Sequence, residues 1–152
     1  MTRTEEILWL AGKLRYLREA GPNAGFRVEG VQKWCGGKVG ESWCAYFATM
    51  VLDICFEGAS PIPRLGSCDA ILSLARERMW TVQQPVPGDL YLLLNSSIDA
   101  HHVGFVVGAI TPTSFLSRSG NTSGDGGSNG DRVADHTQRI VPGMIVFVHY
   151  PR

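Results

Sequence analysis

The chain has 152 residues, with 14 Lys and Arg balanced by 14 Asp and Glu, and this zero net charge sets up no field that would draw in nucleic acid or an anionic membrane surface. Apolar residues make up 44% and charged residues 18%, the balance of one folded domain over 1–152 rather than of a disordered chain. No apolar run reaches the ~18 residues of a membrane span, and the start Met1-Thr2-Arg3-Thr4-Glu5-Glu6 lacks the apolar stretch of a signal peptide. A monomer folded in the cytoplasm, without membrane insertion, is expected.

In chain order, the first predicted element is a helix over 2–20. Thr2 and Glu5 fit a capping box, Ile7, Leu10, Ala11, Leu14 and Leu17 share one face, and Gly21-Pro22 is the stop. A shorter helix fits Val28 to Trp34. The run Ser42 to Phe56 is apolar on nearly every side, the pattern of a buried central helix, with Ser42 as its N-cap and Cys44 in its first turn. Pro61 and Pro63 punctuate a loop, and a further helix fits Cys68 to Arg78. After residue 85 the chain turns to short β-branched and aromatic runs, predicting strands at about 89–94, 102–109, 114–119, 131–140 and 144–149. Helices first and strands afterwards predict an α+β domain, with N-terminal helices packed on an antiparallel sheet of about five strands.

The four cysteines, Cys35, Cys44, Cys55 and Cys68, lack C-x-x-C spacing, so no zinc site is expected and all four are read as reduced. A thiol attacks a carbonyl well only as thiolate, and helix N-terminal amides together with an imidazole stabilise that anion. Cys44 meets the first condition, and the same free N–H groups can receive an oxyanion. The bland alternative is a small buried hydrophobe.

His102 opens the run His102-Val103-Gly104-Phe105-Val106-Val107-Gly108, a histidine at a strand end. Gly104 and Gly108 share its face and leave room for a helix end to approach. The alternative is a structural histidine at a sheet edge. If 102–109 and 114–121 form a symmetric hairpin turning near Thr111-Pro112, paired residues sum to 223 and Asn121 stands opposite His102. Opposed side chains lie about 5 Å apart, within reach of an amide oxygen accepting from an imidazole N–H. Asn121 is otherwise a turn former, and an odd loop or a bulge would break the pairing.

The Gly120–Gly130 loop fails as an EF-hand: from Asp125, Gly127 and His136 stand where ligands are required. It reads as a mobile loop beside a cleft. Asp69 reads as a helix starter, Asp89 as a turn residue and Asp53 as a buried carboxylate without an evident partner. No nucleotide-binding loop occurs. Neither a metal nor a cofactor is expected.

The segments Glu41-Ser42-Trp43-Cys44-Ala45-Tyr46-Phe47, Pro87-Gly88-Asp89, His102-Val103-Gly104 and Gly120-Asn121-Thr122 together resemble CHAP domains, the cysteine, histidine-dependent amidohydrolases/peptidases. The resemblance covers about residues 28–149, and the Ser67-Cys68-Asp69-Ala70 helix start is similar to that of phage-associated members. It implies a papain-like fold and cleavage of a peptidoglycan amide, either a peptide bond or the sugar–peptide link. It also implies Cys44 as nucleophile, His102 as base and Asn121 as the polar third residue. Phage or secretion components are the partners such a reading brings with it, since an enzyme without a signal peptide reaches the wall by another route. Many members carry glutamate two residues before the asparagine, where this chain has Ser119. The acidic calcium motif of some phage members is absent, with Cys35 at the corresponding distance. Two rival expectations are a degenerate wall-binding module that keeps the fold, and a virion component whose wall cleavage is incidental. Trp43 and Tyr46 are candidates to line a cleft.

Overall fold

A computed structural model describes residues 1–122 and 130–152. Residues 123–129, and with them most of the loop read above as mobile and without calcium, lie outside the described residues.

Helix α1 (Arg3–Lys13) begins on the expected capping box: Thr2 Oγ1 accepts from Glu5 N at 3.2 Å, and Glu5 Oε2 accepts from Thr2 N at 2.6 Å. It ends well before residue 20. A 3-10 turn (Leu14–Tyr16) follows, Leu17 is extended, and the chain runs on beside strand β5 (Arg132–Arg139). There Val133 N donates to Leu17 O, and Glu19 N donates to Asp131 O. An open sheet edge with unpaired groups satisfies this backbone and still buries Leu17, so pairing prevails over helical periodicity.

Helices α2 (Phe26–Trp34), α3 (Cys44–Cys55) and α4 (Cys68–Glu77) complete the helical layer. Every residue of α3 except Ile54 is buried, because α1 and α2 pack on it from outside and the sheet lies beneath it. Strands β1 (Thr81–Val82), β2 (Leu90–Ser96), β3 (Asp99–Gly108), β4 (Ser114–Thr122), β5 and β6 (Ile145–Val148) form one antiparallel sheet in the order β1-β6-β2-β3-β4-β5. The chain is therefore α+β, with one more strand than expected: β1 is a two-residue edge too short to leave a pattern. Among the described residues no helix is long and apolar enough to cross a membrane.

Alternation along the strands divides the interior. Leu90, Leu92, Val103, Phe105 and Val148 face the helices, while Tyr91, Val106, Phe115 and Phe147 form a second cluster on the opposite face. Edge-to-face contacts hold that second cluster, with Tyr91 and Phe115 centroids 5.1 Å apart and Phe115 and Phe147 5.3 Å apart.

Candidate active site

Cys44 is the first residue of α3. The N-cap is Trp43 rather than the expected Ser42, and it makes no side-chain capping bond. The first-turn amides therefore keep their free donors and the positive end of the helix dipole beside the sulfur. Gly120 lets the helix head come this close to the sheet. A Cβ there would lie 2.8 Å from Phe47 Cβ and 2.8 Å from Trp43 Cζ3. The glycine that admits the helix is thus Gly120, not Gly104 or Gly108 as expected.

His102 is completely buried. By alternation it belongs to the face of Tyr91, whose ring centroid is 6.1 Å from its own, while α3 packs on the other face. His102 lies beyond the paired part of β3 and β4. Their ladder runs through Gly108–Leu116, Val106–Ser117 and Phe105–Arg118 and pairs nothing beyond. The Cys44 sulfur is near enough for the His102 ring and the Val103 main-chain N–H to lower its pKa, although the imidazole Nδ1 makes no hydrogen bond of normal geometry with it.

The expected His102–Asn121 bond is not formed. The register sum of 223 does hold at Phe105–Arg118 and Val106–Ser117, despite a bulge at Val106/Gly108. A second irregularity between Ser119 and Thr122 on the β5 side turns Asn121 to φ 52°. Its Nδ2 then donates to Ser42 Oγ at 2.7 Å, and its Oδ1 is buried without a partner. Ser119 takes the place instead, its Oγ 3.0 Å from His102 Nε2. The ring reaches Ser119 diagonally across Gly104, where a Cβ would lie 2.6 Å from Ser119 Cβ and 2.8 Å from Tyr91 Cε1. The space that Gly104 leaves is filled by Ser119 and Tyr91, and no helix enters it. With Nε2 committed to Ser119, Nδ1 is buried without a hydrogen bond and is the nitrogen free to serve the thiol. The buried Tyr91 hydroxyl faces Ser117 and Ser119 without a hydrogen bond of normal geometry. Burial pushes its pKa up to about 12, so it stays a neutral phenol.

A further group was not foreseen. Cys68, the first residue of α4, has its Sγ 3.6 Å from Cys44 Sγ. The Cys68 thiol is the largest influence holding the Cys44 thiol well below its ordinary range. Burial opposes this, and the His102 ring and Val103 N–H add to the lowering. Cys68 itself is pushed up, first by that same contact and then by burial, so it is the donor of the pair. Two bonds fix its helix: Ser67 Oγ accepts from Ala70 N at 3.2 Å, and Asp69 Oδ1 accepts from Ala100 N at 2.6 Å, two residues before His102. The N-cap serine marks where α4 begins. Nothing local marks what the helix start meets across the fold.

The remaining candidates are structural. Asp53, expected to lack a partner, accepts from Trp34 Nε1 and Arg64 Nε, each at 3.0 Å. Asp89 is completely buried and accepts from Val86 N, His149 Nδ1 and Arg152 Nη2. Trp43 lies in the core with Nε1 on Glu19 Oε1, and Tyr46 is buried with its hydroxyl on Glu41 Oε2, so neither lines a cleft. Burial pushes the Cys35 thiol up, and raises Cys55 to about 11. Among the described residues no group of three or more His, Cys, Asp and Glu side chains is placed to hold a metal ion.

Cys44 is 3% exposed. A concavity of about 660 Å³ is lined by Glu19 to Asn23, Gly130 and Asp131, without Cys44 or His102 in its wall. Glu19 there holds Trp43, and Gly130 N donates to Asn121 O. No family model matches the chain, and no curated protein matches it.

Proposed function

We propose that this chain is a papain-like cysteine hydrolase of the CHAP type that cleaves a peptidoglycan amide through a thioester. The observation that carries the reading is the meeting of a helix-head thiol, held toward its thiolate, with an imidazole whose other nitrogen is bonded to Ser119. The Trp43-Cys44-Ala45 and His102-Val103-Gly104 resemblance directs it to wall amides.

In this mechanism His102 Nδ1 takes the Cys44 proton, and the sulfur attacks the amide carbon. The oxyanion accepts hydrogen bonds from the uncapped first-turn amides of α3. Collapse breaks the C–N bond, the imidazolium gives its proton to the leaving amine, and water then attacks the thioester with His102 as base. Ser119 Oγ accepts from Nε2–H throughout, which fixes the tautomer that leaves Nδ1 basic. Asn121 acts on the helix head through Ser42 rather than on the imidazole.

Incubation with purified peptidoglycan is expected to release peptides or free amines, with Cys44→Ala releasing none. Mass spectrometry of the muropeptides separates a peptide-bond cut from loss of the whole stem peptide. A second reading, a wall-binding module without turnover, is favoured by the neutral Ser119 and the 3% exposure of Cys44. It predicts equal sedimentation of both forms with peptidoglycan and no release by either.

A further inference from the structure

Two helices begin on cysteines that face one another: Cys44 on α3 and Cys68 on α4, with sulfurs 3.6 Å apart. Hydrolysis needs only one of them. Among the described residues, a neutral hydroxyl at position 68 would supply a similar donor without bringing a second oxidisable sulfur into the core. We propose that Cys44 and Cys68 form a peroxide-reactive pair, in which Cys44 is oxidised by a hydroperoxide and Cys68 resolves it into a reversible disulfide.

The chemistry balances. The Cys44 thiolate attacks the hydroperoxide, the O–O bond breaks, and sulfenic acid and an alkoxide or hydroxide form, with the sulfur oxidised by two electrons. The Cys68 sulfur then attacks the sulfenic sulfur. An S–S bond forms, the S–O bond breaks, and the departing hydroxide leaves as water with the Cys68 proton. Two equivalents of a small thiol reverse this, leaving their own disulfide as product. The sulfurs must close from 3.6 Å to a bond of about 2 Å, a shift within reach of side-chain rotation at two helix starts.

The surroundings favour this order. Two of the influences that keep Cys68 protonated come from Cys44 itself, its hydrogen bond and its charge. The charge vanishes once Cys44 is a neutral sulfenic acid, so oxidation of the first sulfur removes one of the influences that hold the second protonated. Neither other cysteine is positioned to compete: Cys35 points to Tyr46 O and Thr49, and Cys55 lies in the core at the far end of α3. The pairing rests on Cys44 reactivity and not on the hydrolase reading, although a Cys44 tied in a disulfide would have no nucleophile to offer.

The test needs no wall substrate. The reduced full chain is treated with hydrogen peroxide and read by intact mass and non-reducing peptide mapping. The expected result is loss of two hydrogens, a crosslink joining the Cys44 and Cys68 peptides, and full reversal by dithiothreitol. In Cys68→Ser the expected product is a dimedone-trappable sulfenic acid on Cys44 that goes on to gain a second oxygen. A wild-type chain that gains two oxygens on Cys44 with no crosslink would overturn the proposal, as would a crosslink between any other pair. Because the wild-type map decides alone, a poorly folding variant leaves the test intact. Absence of wall cleavage by the reduced chain, in a protein whose crosslink still forms on oxidation, would strike the hydrolase reading and leave this one standing.

Discussion

Ser119 gives His102 a neutral partner where a carboxylate would give a charged one. A hydroxyl fixes the tautomer but supplies no charge to stabilise the imidazolium that the proposed mechanism would form on deprotonating the thiol. That service falls to the thiolate itself, which Cys68 and Val103 N–H stabilise from the other side. Ser119→Ala leaves Nε2 buried without a partner, at a cost of about 1–3 kcal/mol of stability, and the share of it that grows as an imidazolium forms slows the proposed reaction by up to roughly a hundredfold. The expected outcome is a fall in kcat with little change in KM, measured on released amine; a change in KM alone would show that Ser119 holds substrate instead. Cys44 and His102 could be singled out from local features, a helix head and a histidine before a glycine-spaced apolar run, although β3 begins at Asp99 and His102 is inside the strand rather than at its end. The third partner could not, because it depends on which diagonal the ring takes across Gly104 and on the turn at Asn121, both properties of the folded sheet.

At the scale of elements, the candidate site lies where α3 packs closely on β4, beyond the paired part of β3 and β4. The Phe105–Arg118 pair is the last rung of the β3–β4 ladder, and Gly120 sets how closely the helix approaches. Gly120→Ala would press a methyl into Phe47 and Trp43, which overpacking rules place at about 1–3 kcal/mol of stability. Because those two residues flank Cys44, activity should fall further than the loss of stability explains, as read by thermal melts alongside amine release. The central helix was legible from its all-round apolar character, and the sheet from its β-branched runs. The end of α1 was not, since periodicity through Leu17 describes a buried face equally well whether the backbone is helical or paired to β5.

Across the whole molecule, one charged knot ties the N-terminal helix to the far strands. Arg118 donates to Asp135 through Nε at 2.6 Å and Nη2 at 2.7 Å, and through Nη1 to Leu8 O at 2.7 Å. Arg15 adds a bond to Asp135 at 2.5 Å. Against the upward push of burial, Arg118 and then Arg15 hold the Asp135 carboxyl below its usual range. A carboxyl depressed on folding contributes stability above its unfolded value, near pH 4, and that stability is lost as pH falls through the lower folded value. Asp135→Asn should lower stability by about 1–3 kcal/mol at neutral pH and flatten the acid limb of denaturant melts. An unchanged acid limb would remove Asp135 from the account.

The central claim is that Cys44 alone among the four thiols is activated, and that His102 takes part. The rate of iodoacetamide labelling at each cysteine, followed by peptide mapping from pH 5 to 10, reads this directly in the unfragmented chain. Cys44 is expected to label with a midpoint well below 9, ahead of Cys35 and Cys55, and His102→Ala should move that midpoint upward. A Cys44 that labels no faster at neutral pH than Cys55, or whose midpoint ignores the loss of His102, would contradict the claim.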